Sequence, residues 1–361
     1  MPATPESPQH PFPLPERPEA VPLVSVEEFA RARDGPDAPI VVDVRTAAER
    51  TLAHLPADRH IPLHELPRRF AELPADRAIV VYCQFGAESR RAAAFLIRHG
   101  YPWTAALEGG IDEYARVVDP AIPRYPPHGT QSGSLLRQFP RRDSGCLAYL
   151  VGDPESRTAV IIDPGRDVDP YLAALRDGSY RLVGVVETHT HADHLAGHSR
   201  LHEKTGAPIY LGRLSPAQYP HQRLGEGDSV EIGPEAITVL ETPGHTRDHV
   251  TLRLGERVFT GDTLLLGACG RTDLGDGSAE RLWESLQHKI LSLPDDVEVF
   301  PAHFGARHAL TERYSSTIGF ERGTNEALLQ PSREAFLRYM TDGWPPKPID
   351  FDAIVRENLD S

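Results

Sequence analysis

Lysine is nearly missing from this 361-residue chain: Lys204, Lys289 and Lys347 are its three, and arginine carries the remaining positive charge. The formal net charge is −14, so no basic face is expected for nucleic acid or for an anionic membrane. Arginine does suit recognition of small anions. Cysteine is also scarce. Three residues (Cys83, Cys146, Cys269) make no disulfide framework, which points to a reducing compartment, most simply the cytoplasm. No apolar run reaches the length of a bilayer span. Residues 1–20, rich in proline and glutamate, read as a disordered tail and not as a signal peptide.

The length exceeds one ordinary core and predicts two domains. Between residues 21 and 120, short β-branched runs (Ile40–Arg45, Ala78–Cys83) alternate with helical patterns, Val24–Phe29 with Ser25 as N-cap and Ser89–Arg98 closed by Gly100. That alternation predicts a small α/β domain with a parallel sheet. Proline-rich 121–130 reads as a linker. From 131 to 361 the pattern changes to many strands (Leu147–Val151 paired with Ala159–Asp163, Leu182–Glu187, Ala207–Leu211, Ala236–Glu241, His249–Leu254, Val258–Thr260), with a helix over His194–Thr205. Two sheets packed face to face and covered by helices are expected.

Three short blocks in this half carry donor atoms, each after an apolar run. They are Thr188-His189-Thr190-His191-Ala192-Asp193-His194, Pro243-Gly244-His245-Thr246 and Thr260-Gly261-Asp262-Thr263, and Phe300-Pro301-Ala302-His303 adds one more histidine. Imidazole and carboxylate without thiolate suit zinc or non-haem iron. Seven candidate ligands (His189, His191, Asp193, His194, His245, Asp262, His303) permit two metals, or one metal whose ligands the others orient.

These blocks resemble the metallo-β-lactamase superfamily. Gly267-Ala268-Cys269-Gly270-Arg271-Thr272-Asp273, Ser144-Gly145-Cys146 and Pro346-Lys347-Pro348 make the resemblance closest to its persulfide dioxygenases. The resemblance implies an αββα sandwich holding one Fe(II) per chain through His189, His245 and Asp262. His191, Asp193, His194 and His303 would then support these ligands or hold an alternative second metal. It also implies Arg271 as the residue facing an anionic group of the thiol carrier. Phe304-Gly305-Ala306-Arg307 departs from the acidic residue and tyrosine that help glutathione-type relatives hold glutathione, so the carrier is left open between glutathione and another small thiol.

In the first half, Cys83-Gln84-Phe85-Gly86-Ala87-Glu88-Ser89-Arg90 joins a strand to a helix. Backbone N–H groups and the helix dipole there are expected to lower a thiol pKa. With Val42-Asp43-Val44-Arg45, the His54–Pro62 segment and Leu107–Ile111, this loop resembles single-domain rhodaneses. That implies Cys83 as a sulfane-sulfur carrier, with Gly86, Ser89 and Arg90 as loop partners. Glu88 stands where the family places arginine, and its charge would repel an anionic donor such as thiosulfate. The expected activity is oxidation of a thiol persulfide by O₂ to sulfite, coupled to sulfur transfer among persulfide, sulfite and thiosulfate; a homodimer is compatible with it. Two alternatives stand beside it: a dinuclear zinc thioesterase of the glyoxalase II type, and a non-catalytic sulfur-relay or sensor protein.

Overall fold

A computed structural model of the chain describes residues 21–122, 134–141, 144–303, 315–341 and 350–360. The tail 1–20, most of the linker 121–130, Phe304–Arg307 and Pro346–Pro348 lie outside the described residues. The chain divides into two compact units, the main break falling between residues 125 and 126.

The first unit is a parallel five-stranded sheet built from β1 (Leu23–Val24), β2 (Ile40–Asp43), β3 (Arg59–His60), β4 (Ile79–Tyr82) and β5 (Thr104–Leu107), in the order β1-β5-β4-β2-β3. The run Ile79-Val80-Val81-Tyr82 is buried throughout, as a central strand covered on both faces must be. Ser25 caps helix Val26–Arg33: its hydroxyl accepts from the Glu28 N–H while the Glu28 carboxylate accepts from the Ser25 N–H, both at 3.2 Å. Such a cap contributes about 1 kcal/mol. Phe29 of that helix packs with Val80, Tyr82, Leu107 and Tyr114. Helix Ala87–Arg98 begins at Gly86, whose φ of 95° glycine adopts without strain.

The second unit has two six-stranded sheets. One runs β11-β10-β9-β8-β7-β6, from β6 (Leu135–Arg141), β7 (Cys146–Asp153), β8 (Thr158–Ile162), β9 (Arg181–Val186), β10 (Ile209–Gly212) and β11 (Gln222–Leu224). The other runs in sequence order through β12 (Ser229–Ile232), β13 (Glu235–Glu241), β14 (Val250–Leu254), β15 (Arg257–Gly261), β16 (Glu298–Pro301) and β17 (Ser316–Thr317). Tyr149, Val160, Ile162 and Val186 of the first sheet interdigitate with Ile237, Val239, Leu252, Phe259 and Phe300 of the second. The outer faces are covered by helices, with Tyr171 and Leu201 on one side and Leu282, Ile318 and Phe336 on the other. The layers are αββα, as the resemblance implied, and every donor-bearing block lies just beyond a strand end.

One local expectation is corrected. The helix read from His194 begins at His198, with Gly197 as its N-cap, so Asp193 and His194 lie in a loop and not in a first helical turn. The reason is long-range. The Asn358 side chain, from helix Phe351–Asp360, donates to the carbonyls of His191 (3.0 Å) and His194 (2.8 Å) and accepts from the Ala196 N–H (2.9 Å). Those backbone groups are therefore satisfied outside a helix.

Candidate metal centre

The histidine block is pinned to both sheets. Asp163, just past β8 at φ 51°, accepts from the Thr188 N–H (2.7 Å) and hydroxyl (2.9 Å), and the Thr188 carbonyl accepts from the Val250 N–H (2.8 Å). His189 follows. Its Nδ1–H can donate to the Thr188 hydroxyl (3.0 Å), and its ring stacks on His249 with centroids 5.0 Å apart. Its Nε2 is buried, with no hydrogen-bond partner among the described residues. Burial, then the imidazoles of His191, His245 and His249, hold its pKa well below the ordinary value. The ring is neutral, and Nε2 keeps its lone pair.

His245 is lifted from the sheet by Pro243-Gly244, where a Cβ on the glycine would overlap the backbone of Leu282. Its Nδ1–H donates to the Arg271 carbonyl (2.7 Å), which turns Nε2 toward Asp262 Oδ2 at 3.5 Å. Asp262 follows Gly261, at φ 50°, where any side chain would run into His249. Its N–H donates to His249 Nε2 (2.9 Å), and its Oδ1 lies 2.6 Å from His303 Nδ1. Burial raises the Asp262 pKa, but His303 and His245 outweigh it and hold the carboxyl at about 2. One donor atom each from His189, His245 and Asp262 falls within 4.8 Å of the others. Two imidazole nitrogens, one of them buried and orphaned, and a carboxylate oxygen fit a divalent iron or zinc ion.

The remaining block residues gather beside this set. His191 Nε2 sits 3.2 Å from Asp163 Oδ1 and from Glu187 Oε2; despite its burial these carboxylates hold its pKa well above the ordinary value. Its Nδ1 has no hydrogen-bond partner among the described residues. Cys146 Sγ, Asp193 Oδ2 and His303 Nε2 form a close trio, at 2.9 Å from sulfur to Asp193, 3.4 Å from sulfur to His303, and 2.7 Å between Asp193 and His303. Asp193 also contacts His194 Nδ1 (3.2 Å), and Cys146, Asp193 and His194 offer a second set of donors within 4.8 Å.

The Arg271 guanidinium donates to both oxygens of Asp273, at 2.7 and 2.8 Å. Cys269 packs in the core beside Leu264 and Leu282, and burial pushes its thiol pKa up. Sequence reasoning missed His249, Asp163, Glu187 and Asn358. Of these only His249, four residues after His245, carried a local signal; the other three become visible through partners distant in the chain.

In the first unit, Cys83 Sγ accepts from the Gly86 N–H (3.1 Å) and lies 3.6 Å from the Ser89 hydroxyl; Arg90 enters through its N–H, bonded to the Gly86 carbonyl at 3.4 Å. The thiol pKa is nonetheless raised, first by burial and then by the Glu88 carboxylate. This reverses the lowering expected from the loop, because the Gly86 and Ser89 hydrogen bonds cannot offset full desolvation beside a negative charge.

The metallo-beta-lactamase superfamily pattern matches residues 141–303, and the rhodanese-like domain pattern matches residues 25–116. The human mitochondrial persulfide dioxygenase ETHE1 is 39% identical over 235 residues, 64% of this chain and 90% of the relative. A hydroxyacylglutathione hydrolase of Cereibacter sphaeroides is 38% identical over 211 residues, 56% of this chain and 81% of the relative. The crystal structure of ETHE1 from Myxococcus xanthus superposes with a TM-score of 0.59 at 36% identity, covering 62% of this chain and 98% of that one.

Proposed function

Since this chain belongs to the metallo-beta-lactamase superfamily, as a persulfide dioxygenase homologue with an N-terminal rhodanese domain, we propose that it oxidises a small thiol persulfide to sulfite at His189, His245 and Asp262. The balance is RSSH + O₂ + H₂O → RSH + SO₃²⁻ + 2 H⁺. The observation that carries the reading is the convergence of two imidazoles and one carboxylate, with His189 Nε2 buried and orphaned. Iron(II), when bound, would supply open coordination positions and electrons for joining persulfide sulfur to O₂.

The chain's own residues prepare that chemistry. The Arg271 carbonyl fixes the His245 tautomer, and His249 fixes the Asp262 backbone. His303, raised in pKa by Asp262 and Asp193 against its burial, holds a proton on Asp262 Oδ1, the oxygen turned away from His245. His191 and His194 brace the loop. A substrate carboxylate facing the Arg271 side chain would share its guanidinium with Asp273, which already holds the Nε–Nη2 edge. In the rhodanese unit Cys83 would carry sulfane sulfur and pass it to sulfite: Cys83–S–SH + SO₃²⁻ → Cys83–SH + S₂O₃²⁻. A reducing compartment such as the cytoplasm suits that thiol. No helix among the described residues is long and apolar enough to cross a membrane.

Iron-loaded protein is expected to take up O₂ with a persulfide, and His245→Ala to lose both the uptake, by at least about a hundredfold, and most of the metal. Uptake that survives the substitution removes His245 from the ligand set. The dinuclear zinc thioesterase reading has specific support in the partnerless His191 Nδ1 and His194 Nε2 and in the hydrolase relative. Two zincs per chain, with thioester hydrolysis and no O₂ uptake, would establish it instead.

A further inference from the structure

Arg141, the last residue of β6, pairs across the ladder with Cys146, the first residue of β7. Cross-strand partners project from the same face with Cβ atoms about 5 Å apart. Cys146 touches Asp193 and His303, so Arg141 stands beside the metal-binding residues. Its guanidinium packs on Gly165, where a Cβ would overlap Nη1, and Gly165 bridges to Ala196, two residues beyond His194. Its charge also reaches His194, whose pKa falls to about 4, through burial first and then His191, with Arg141 contributing.

Arg141 Nε and Nη2 are both buried, and neither has a hydrogen-bond partner among the described residues. These two nitrogens form the side edge of the guanidinium. Elsewhere in this protein the same edge grips both oxygens of one carboxylate: Arg271 on Asp273 at 2.7 and 2.8 Å, and Arg69 on Glu72 at 2.7 and 2.9 Å. A buried guanidinium with that edge unmet is costly to fold and is stabilised by a two-oxygen anion.

We propose that the Nε–Nη2 edge of Arg141 binds an oxyanion brought to or made at the metal centre, either a carboxylate of the thiol carrier or the sulfite product. The proposal rests on the persulfide dioxygenase reading for the identity of the anion, and not for its binding. With the carrier carboxylate as the anion, Arg141 selects carboxylated persulfides over uncharged ones, and Arg271, whose Nε–Nη2 edge is held by Asp273, contributes less.

The test uses metal-loaded full-length protein, with reduced glutathione and sulfite as probes followed by thermal unfolding. Removing an unmet buried charge is expected to raise the Tm of ligand-free Arg141→Gln above wild type, where loss of a purely structural arginine would lower it. Wild type should gain Tm with one or both anions, and Arg141→Gln should need about ten- to a hundredfold more anion for the same gain. Arg271→Gln should need far less extra. A gain with glutathione alone assigns the site to the carrier carboxylate, and with sulfite alone to the product. Where glutathione gives the gain, Arg141→Gln should also cut the kcat/KM preference in O₂ uptake for glutathione persulfide over 2-mercaptoethanol persulfide about tenfold or more, and Arg141→Lys should restore part of it. A lowered ligand-free Tm with anion affinity within about twofold of wild type overturns the proposal. Anion binding through Arg141 in a protein that takes up no O₂ with any persulfide would sink the dioxygenase reading and leave the inference standing.

Discussion

At Cys83, burial and the Glu88 carboxylate oppose the hydrogen bonds that Gly86 and Ser89 offer the sulfur, and they prevail. The arginine that rhodaneses place at this position would pull the thiol pKa down and attract thiosulfate. Glu88→Arg is therefore expected to raise the thiolate fraction and the persulfide loading of Cys83 from thiosulfate by about tenfold or more, since one pKa unit is a tenfold change. Intact-mass measurement of the 32-Da adduct over a pH series checks it, and unchanged loading would show that burial alone sets the reactivity. Glu88 was legible in the sequence as a departure from a pattern. Its effect on Cys83 was not, because the size of a pKa shift depends on desolvation, which sequence spacing does not report.

Among the elements, the C-terminal helix Phe351–Asp360 matters for one side chain. Asn358 makes three hydrogen bonds to the backbone between His191 and Ala196 and so shapes the loop that continues from His189. Asn358→Ala leaves two carbonyls and one N–H there unpaired, and partners that orient metal ligands typically contribute ten- to a hundredfold in metal affinity. Metal release to a chelator should accelerate by about that factor in Asn358→Ala. A release rate equal to wild type would show that the loop holds its shape without the helix. The strands and the capped helix Val26–Arg33 were readable because β-branched runs and capping boxes are local signals. The false helical start at His194 came from the same reasoning: the helical pattern is local, and the asparagine that overrides it lies more than 160 residues away.

For the whole molecule, the proposed coupling joins two chemistries through one metabolite, since sulfite made by the second unit would be the acceptor for Cys83 in the first. Cys83→Ser, a substitution in the other unit, should leave persulfide-dependent O₂ uptake per bound metal within about twofold of wild type, while the sulfur product shifts from thiosulfate to sulfite. Ion chromatography of the products decides it; thiosulfate made at the wild-type rate by Cys83→Ser would remove the rhodanese unit from the proposed sequence. By itself the sequence determined the fold of each unit and the chemistry of the donor set, because hydrophobic periodicity and motif spacing are local properties. The resemblance already implied the trio His189, His245 and Asp262, and only the tertiary structure decided what surrounds it. Setting His191 between Asp163 and Glu187, and standing Arg141 beside Cys146, depend on sheet register and on strand ends brought together. Those contacts arise from packing between residues far apart in the chain, and no local pattern encodes them.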